Sequence, residues 1–378
     1  MKKLLIFLVI VALVSCKTKV SVKESCKSDL LNKEAFEKEI DGKKTSLYLL
    51  ENANGIKVYI TNYGARVVSL LTPDKEGECA DIVLGFDNID SYLKDKMYLG
   101  CIVGRYANRI KEGKFTIDGQ EYNLFLNDGP NTLHGGQKGF DKRVWDAKQE
   151  GNTLTLSYLS PDGEEGYPGN LEIKKIYTLT DENELKMAYE AETDKATIVN
   201  LSHHSYFNLK GEGDTTILDH YLMAAADYFT PVDSTLIPTG EIRPVVGTPF
   251  DFTKAKQIGQ DIGMENEQLK FGLVYDHNWV LDKDSANALT LAVKLWEETT
   301  GRVMEIYTTE PAFQFYCGNF MDGSVTGKSG KPYKYRAALA IEPQHYPDSP
   351  NHPEFPSTVL KPGEKYRQLS ILKFGITE

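Results

Sequence analysis

Residues 186–192 read KMAYEAE. Alternation at period two sets Met187 and Tyr189 on one face and Ala188 and Glu190 on the other, the pattern of a strand with one covered side. Outward from this stretch, segments of five to nine residues rich in Val, Ile, Leu, Thr and Tyr recur at 55–61, 80–84, 153–158, 171–178, 184–190, 288–296 and 302–308. Turn dipeptides punctuate them: Asn54-Gly55, Asp118-Gly119, Asp162-Gly163, Lys210-Gly211 and Pro362-Gly363. Helical pattern is nearly absent, with 258–271 the best place for a short helix. No βαβ series binds a mononucleotide, and no period of 20–50 residues repeats. The expectation is one large, predominantly antiparallel all-β domain, a sandwich with a concave face. Two smaller β domains are the alternative, because periodicity does not give pairing order.

The chain has 378 residues, enough to bury roughly three quarters of its unfolded surface. Hydrophobic residues at 41% and charged residues at 26% exclude a disordered chain and a multi-span membrane protein. A net charge of −11 without a compensating basic block argues against nucleic acid as a partner.

Lys2 and Lys3 precede an apolar run over 4–14. It is shorter than the ~20 residues needed to span a bilayer and fits a signal-peptide core. The run ends in LVSC at 13–16, which resembles the lipobox of bacterial lipoproteins. The expected organisation is a signal peptide over 1–15, a lipidated Cys16 opening a polar tether over 16–44 with one short helix around 30–40, and a single domain over 45–378. The expected location is the bacterial cell envelope, lipid-anchored at the outer membrane and facing the periplasm. Membrane contact is then through the lipid alone.

Cys26, Cys79, Cys101 and Cys317 are widely spaced and lack CxxC. Their sparsity argues against a disulfide scaffold. Apolar surroundings mark Cys101 and Cys317 as buried free thiols, and Cys26 is left with an oxidised pairing open.

Polar residues interrupt the strand pattern in five places. GCIVGRYANRI at 100–110 reads as a buried strand carrying Arg105, Asn108 and Arg109; a buried arginine needs a partner or a polar cavity, so Asn108 and Arg109 look like groove residues. His134 lies in GPNTLHGGQKG at 129–139, whose glycines let backbone approach a ligand but lack phosphate-loop spacing. In VNLSHHSYFNL at 199–209, alternation places His204, Tyr206 and Asn208 on one face and His203 and Ser205 on the other. YDHNWVL at 275–281 offers Asp276 and Asn278 on one side, with His277 pointing away. AALAIEP at 337–343 ends an apolar strand on Glu342, where burial raises a carboxyl pKa toward proton-transfer use. The plainer reading of Glu342 is an ion pair with Arg109 or Arg336. Together these residues suggest proton transfer on a neutral polyhydroxylated ligand. None of the seven histidines forms HExxH, and GxSxG is absent. His204, Asp276 and Glu342 could in principle bind a metal, and the expectation is no metal.

GRYANRI at 104–110, NTLHGG at 131–136, VNLSHHSYFNL at 199–209, YDHNWVL at 275–281 and IEPQHYPDSPNHPEFPSTVLKPGE at 341–364 are similar to the motifs of the aldose 1-epimerase (galactose mutarotase) family. The resemblance spans roughly 45–372. It implies a galactose-mutarotase-like β-supersandwich that interconverts the α and β anomers of free aldoses such as D-glucose and D-galactose. It places the general acid on His204, the general base on Glu342, and sugar contacts on Asn108, Arg109, His134, Tyr206, Asp276 and Gln314. Relatives often carry Asn where this chain has His203, which is expected to face away from His204 and support it indirectly. Acid-base ring opening needs no cofactor. Calcium is associated with some members, but no DxDxDG-like loop marks a site. A monomer acting on a free monosaccharide is expected. The alternatives are a hexose-6-phosphate 1-epimerase, which needs a cationic pocket, and a non-catalytic carbohydrate-binding lipoprotein.

Overall fold

The computed structural model describes residues 31–377. The signal peptide over 1–15 and the lipidation site Cys16 lie outside them, as does Cys26.

Three sheets carry the architecture. The largest runs, in spatial order, Asp146–Glu150, Thr153–Ser160, Leu171–Leu179, Glu184–Thr193, Tyr366–Ile376, Arg302–Thr308, Thr290–Trp296, Tyr221–Ala224 and Lys256–Gln257, antiparallel throughout. In Glu184–Thr193 the alternation read from KMAYEAE is realised: Leu185, Met187, Tyr189, Ala191 and Thr193 are buried while Glu190 and Glu192 are exposed. A second sheet is ordered Tyr206–Phe207, Leu339–Gln344, Ala312–Tyr316, Asp276–Val280, Tyr228–Thr230 and Arg243–Pro244. It is also antiparallel. A four-stranded sheet joins Leu47–Glu51, Lys57–Thr61, Arg66–Pro73 and Cys79–Asp81.

The second sheet is covered on both faces. Trp279, Phe313, Phe315, Leu339 and Ile341 point into the main core, packed with Leu185 and Met187 of the large sheet and Val58 and Ile60 of the small one. Its other face carries Asp276, Gln314 and Glu342. There Tyr206, Tyr316 and Ala340 share a second cluster with Tyr59, Val68 and Leu84, and loops over 95–110 and 128–136 close over the rest.

Several boundaries move. The strand expected over 100–110 is two short pieces, Ile102–Val103 and Arg109–Ile110, because the chain turns between them with Asn108 at φ 65°. The strand expected over 80–84 ends at Asp81. Within 258–271 only Glu267–Phe271 is helical, started by Asn266, whose side chain accepts from Gln268 N. Residues 31–44, placed in the tether, instead pack on the domain. Lys33–Phe36 forms a 3-10 turn with Phe36 fully buried against Tyr92, and Glu39–Ile40 pairs with Lys43–Lys44. Leu31 is buried with Phe36, and Lys38, Asp41 and Lys43 pair with Asp90, Lys138 and Asp146 of the domain. Cys101 and Cys317 are buried free thiols, whereas Cys79 is disulfide-bonded.

Candidate active site

The cavity above the second sheet has a volume of about 250 Å³. Antiparallel register sets Gln314 opposite Glu342 and Asn278 opposite Gln314, so one sheet face delivers the carboxylates. His204 and Tyr206 enter from the turn joining Ser202–His203 to Tyr206–Phe207. There His204 N donates to Cys101 O at 2.8 Å, and its carbonyl accepts from Gly100 N at 2.9 Å. The third wall is the HGG loop. Gly135 is required there, since a β-carbon would sit 1.9 Å from Gly104 O.

His204 Nε2 lies 3.4 Å from Glu342 Oε1, with both side chains almost wholly buried. Burial pushes Glu342 well above the usual carboxylate range, reinforced by Asp276 and opposed by Arg109. Burial also takes His204 down from its ordinary 6.5 to about 4. Both shifts favour the uncharged pair, in which Glu342 carries the proton and His204 is neutral.

His134 has φ 50° and its Nδ1 accepts the Asn108 backbone N–H at 3.1 Å. Burial and its neighbours His204 and Arg109 hold it well below its usual pKa. The neutral ring therefore carries its hydrogen on Nε2, where it is a donor only. Its ring meets that of His204 edge-on at 5.2 Å. Arg109 Nε donates to Asp128 Oδ2 at 2.8 Å, so the ion pair that would have made Glu342 a structural residue is not formed; Arg336 donates to Tyr335 instead.

The cavity is lined by Asn108, Arg109, His134, His204, Tyr206, Asp276 and Glu342. Gln314 lies on the same sheet face, opposite Glu342, but is not among these lining residues. Its Nε2 donates to Asp276 Oδ1 at 2.7 Å, which aims the carboxylate. His203 faces away from His204, as alternation requires, and among the described residues neither ring nitrogen has a hydrogen-bond partner, so it makes no such bond that could orient its neighbour. Arg105 is structural: its guanidinium donates to the carbonyls of Pro168 and Gly169 and to Ser160 Oγ. The rest of VNLSHHSYFNL divides the same way, Asn200, Ser202 and Asn208 bonding backbone carbonyls.

Tyr98, Tyr316, Phe320 and Asp128 also line the cavity, and sequence reasoning missed them. Tyr98 lies edge-on to His134 at 4.7 Å. It sits in a loop fixed by the buried Arg66–Asp95 pair at 2.8 Å, a tertiary link without local sequence signal. Among the described residues, His134, His204 and Glu342 offer ligand atoms within 4.8 Å of one another, a grouping that has His134 where the sequence offered Asp276. Two imidazoles and one carboxylate are not the all-oxygen set that calcium takes.

A family model described as "Aldose 1-epimerase" matches residues 46–373. Galactose mutarotase from Bos taurus is 45% identical over 321 residues, covering 85% of this chain and 92% of that one. The chain belongs to the aldose 1-epimerase family. Aldose 1-epimerase from Escherichia coli K12 is 38% identical over 337 residues, covering 88% and 96%. Among solved structures, a GalM/aldose epimerase homologue from C. elegans is 35% identical with a TM-score of 0.82, covering 88% of this chain and all of that one. Galactose 1-epimerase from Lactobacillus acidophilus NCFM is 31% identical with a TM-score of 0.79, covering 90% and 97%. These likenesses agree with the mutarotase-like fold expected from the sequence.

Proposed function

We propose that His204 and Glu342 interconvert the α and β anomers of free aldoses such as glucose and galactose. The observation that carries this reading is the pair itself, 3.4 Å apart and almost wholly buried on the wall of one cavity. The anomeric hydroxyl and the ring oxygen are both attached to C1, so their base and acid must lie close together. An anomeric hydroxyl donating to Glu342 lowers its pKa, and a ring oxygen accepting from His204 raises the imidazole's, so substrate binding moves the shared proton onto His204. Glu342 then takes the hydroxyl proton, the C1–O1 bond becomes a carbonyl, the bond from C1 to the ring oxygen breaks, and that oxygen takes the proton from His204. Rotation about C1–C2 and reversal on the other face give the second anomer.

His134 Nε2–H and Arg109 face oxygens whose charge changes, and Asp276, aimed by Gln314, accepts from sugar hydroxyls. No hydride moves, so proton-transfer groups supply the whole chemistry.

The phosphorylated-sugar alternative fits less well. The lining cations are Lys96 and Arg109, the latter already paired with Asp128, against the carboxyls of Asp128, Asp276 and Glu342. Anomer-resolved NMR with α-D-glucose, α-D-galactose and α-D-glucose 6-phosphate tests the substrate class. Turnover of the free sugars is expected, and a strong preference for the phosphate contradicts it.

The enzyme is further proposed to act as a monomer, since all these groups come from one chain, and to be lipid-anchored through Cys16 in the cell envelope. The disulfide at Cys79 supports an oxidising compartment. Mass spectrometry of membrane-purified protein should find acylated Cys16 at the N-terminus, and an intact Met1 without lipid would refute the anchor.

A further inference from the structure

The covered face of the second sheet carries more polar side chains than the cavity uses. Antiparallel register sets Glu342 opposite Gln314, Gln314 opposite Asn278 and Asn278 opposite Thr230. The four side chains form one row across four adjacent strands, because residues paired in register share a face. Glu342 stands on the cavity wall, and the other three lie outside its lining. All four are buried, at 2%, 3%, 1% and 0% exposure in that order.

Each member of the row has a polar atom without a hydrogen-bond partner among the described residues: Glu342 Oε2, Gln314 Oε1, Asn278 Nδ2 and Oδ1, and Thr230 Oγ1. Buried polar groups are nearly always satisfied by protein or ordered water. Here the orphaned atoms fall on consecutive strands rather than at scattered places. Cβ atoms across an antiparallel pair stand ~4.5–5.5 Å apart, and polar groups too far apart to bond directly are the ones a single water bridges. The donors and acceptors are complementary. Gln314 uses Nε2 on Asp276 Oδ1 at 2.7 Å, which leaves its Oε1, an acceptor. Glu342 sets Oε1 against His204 Nε2 at 3.4 Å, which leaves its Oε2, a second acceptor. The Asn278 amide nitrogen is a donor. A water has two hydrogens for the two acceptors and a lone pair for the amide.

We propose that a buried water bridges Glu342 Oε2, Gln314 Oε1 and Asn278 Nδ2, which makes Asn278 a positioning residue that holds a hydrogen-bond donor on the oxygen His204 does not touch. Its role at the base rests on the acid-base chemistry proposed for Glu342. An ionised carboxylate accepts more strongly than a neutral carboxyl, so the bridge favours the form that Glu342 takes when the proton moves to His204. The titratable and charged groups facing Glu342 are His204, Asp276, Arg109, Cys101, Tyr206 and Tyr316. None of them hydrogen-bonds Oε2. Asn278 is two strands away and outside the cavity lining, so it acts through the water and touches no sugar.

The test uses the full chain in detergent and the variant Asn278→Leu, which keeps the approximate shape and removes the donor; Asn278→Val replaces it if the leucine prevents folding. Magnetic relaxation dispersion of the water oxygen counts waters held inside the protein, and initial rates of galactose mutarotation give kcat, KM and their pH dependence. The variant should hold fewer long-lived waters than the wild type. Its kcat should fall about tenfold with KM unchanged, as for loss of one hydrogen bond to a charged group. Without the bridge Glu342 keeps its proton to higher pH, so the basic limb of the profile should move up by about one pH unit. Met187→Ala, which is destabilised from the large sheet, should leave that limb in place. The proposal is overturned if the number of long-lived waters is unchanged or if the basic limb does not move. Failure of the acid-base chemistry itself shows separately, as wild-type turnover in Glu342→Gln, while the water count still reports on the bridge.

Discussion

The strand Glu184–Thr193 buries every second side chain, whereas Ala312–Tyr316 buries all five. Both strands are antiparallel and both alternate, but only the first leaves its polar face in water. A sheet with one wet face needs alternation and little else. A sheet covered twice must satisfy every polar group it carries, and groups left unsatisfied have displaced pKa values that chemistry can use. Glu190 stands exposed on the wet face, while burial on the covered sheet pushes Glu342 well above its usual range.

The largest effect expected of this difference lies in the cover rather than in either sheet. Asp95 accepts from Arg66 at 2.8 Å and from Met97 N and Leu99 N at 2.8 and 2.9 Å, fully buried. Asp95→Ala leaves a buried guanidinium uncompensated and should cost about 3–5 kcal/mol, measured by urea unfolding, and should also impair turnover because the loop carries Tyr98. In the large sheet, Met187→Ala should cost about 2–5 kcal/mol through its cavity, yet leave the turnover of the folded fraction unchanged. A loss of turnover there would break the separation between scaffold and site. The smallest effect is expected of His203→Asn, because the imidazole faces away from the acid-base pair and makes no hydrogen bond to it among the described residues. Polarimetry should show near wild-type rates, and a large defect would mean that this residue reaches the acid-base pair after all.

The same contrast explains what could be read beforehand. Met187, Tyr189 and the strand Arg302–Thr308 obey a local period, so the fold class was legible from the chain. His204, Asp276 and Glu342 were legible as polar residues out of place in apolar strands, and the motif resemblance joined them. The two-residue pieces around Asn108 were not, because their geometry depends on left-handed residues and on Gly135 meeting Gly104 across the loop. Nor was the hydrogen bond from Gln314 to Asp276: an inward-facing amide reads the same whether it touches a ligand or another residue. Phe36 was absorbed into an expected tether because one buried aromatic among charges leaves no periodic trace.

Protonation gives a sharper test of the covered sheet. The active enzyme holds one proton on the pair. As pH falls through about 4, His204 gains a second proton while Glu342 keeps its own, so no group accepts the anomeric proton and kcat/KM falls. As pH rises through the elevated pKa of Glu342, the shared proton is lost and the rate falls again. A bell-shaped profile is expected from initial rates, with its acid limb below the ordinary histidine range. A limb near 6.5 would mean that His204 is not buried as described.

The central claim is that one proton shared by His204 and Glu342 drives ring opening. Its most direct measurement is anomer-resolved NMR of galactose mutarotation by Glu342→Gln and His204→Asn, with folding and sugar binding checked in parallel and the uncatalysed rate subtracted. Each variant should bind galactose and lose about 10²–10⁴ in rate, and the double variant should lose less than the product of the two, because one relay cannot be divided between independent contributions. Near wild-type turnover in both folded single variants would contradict the account.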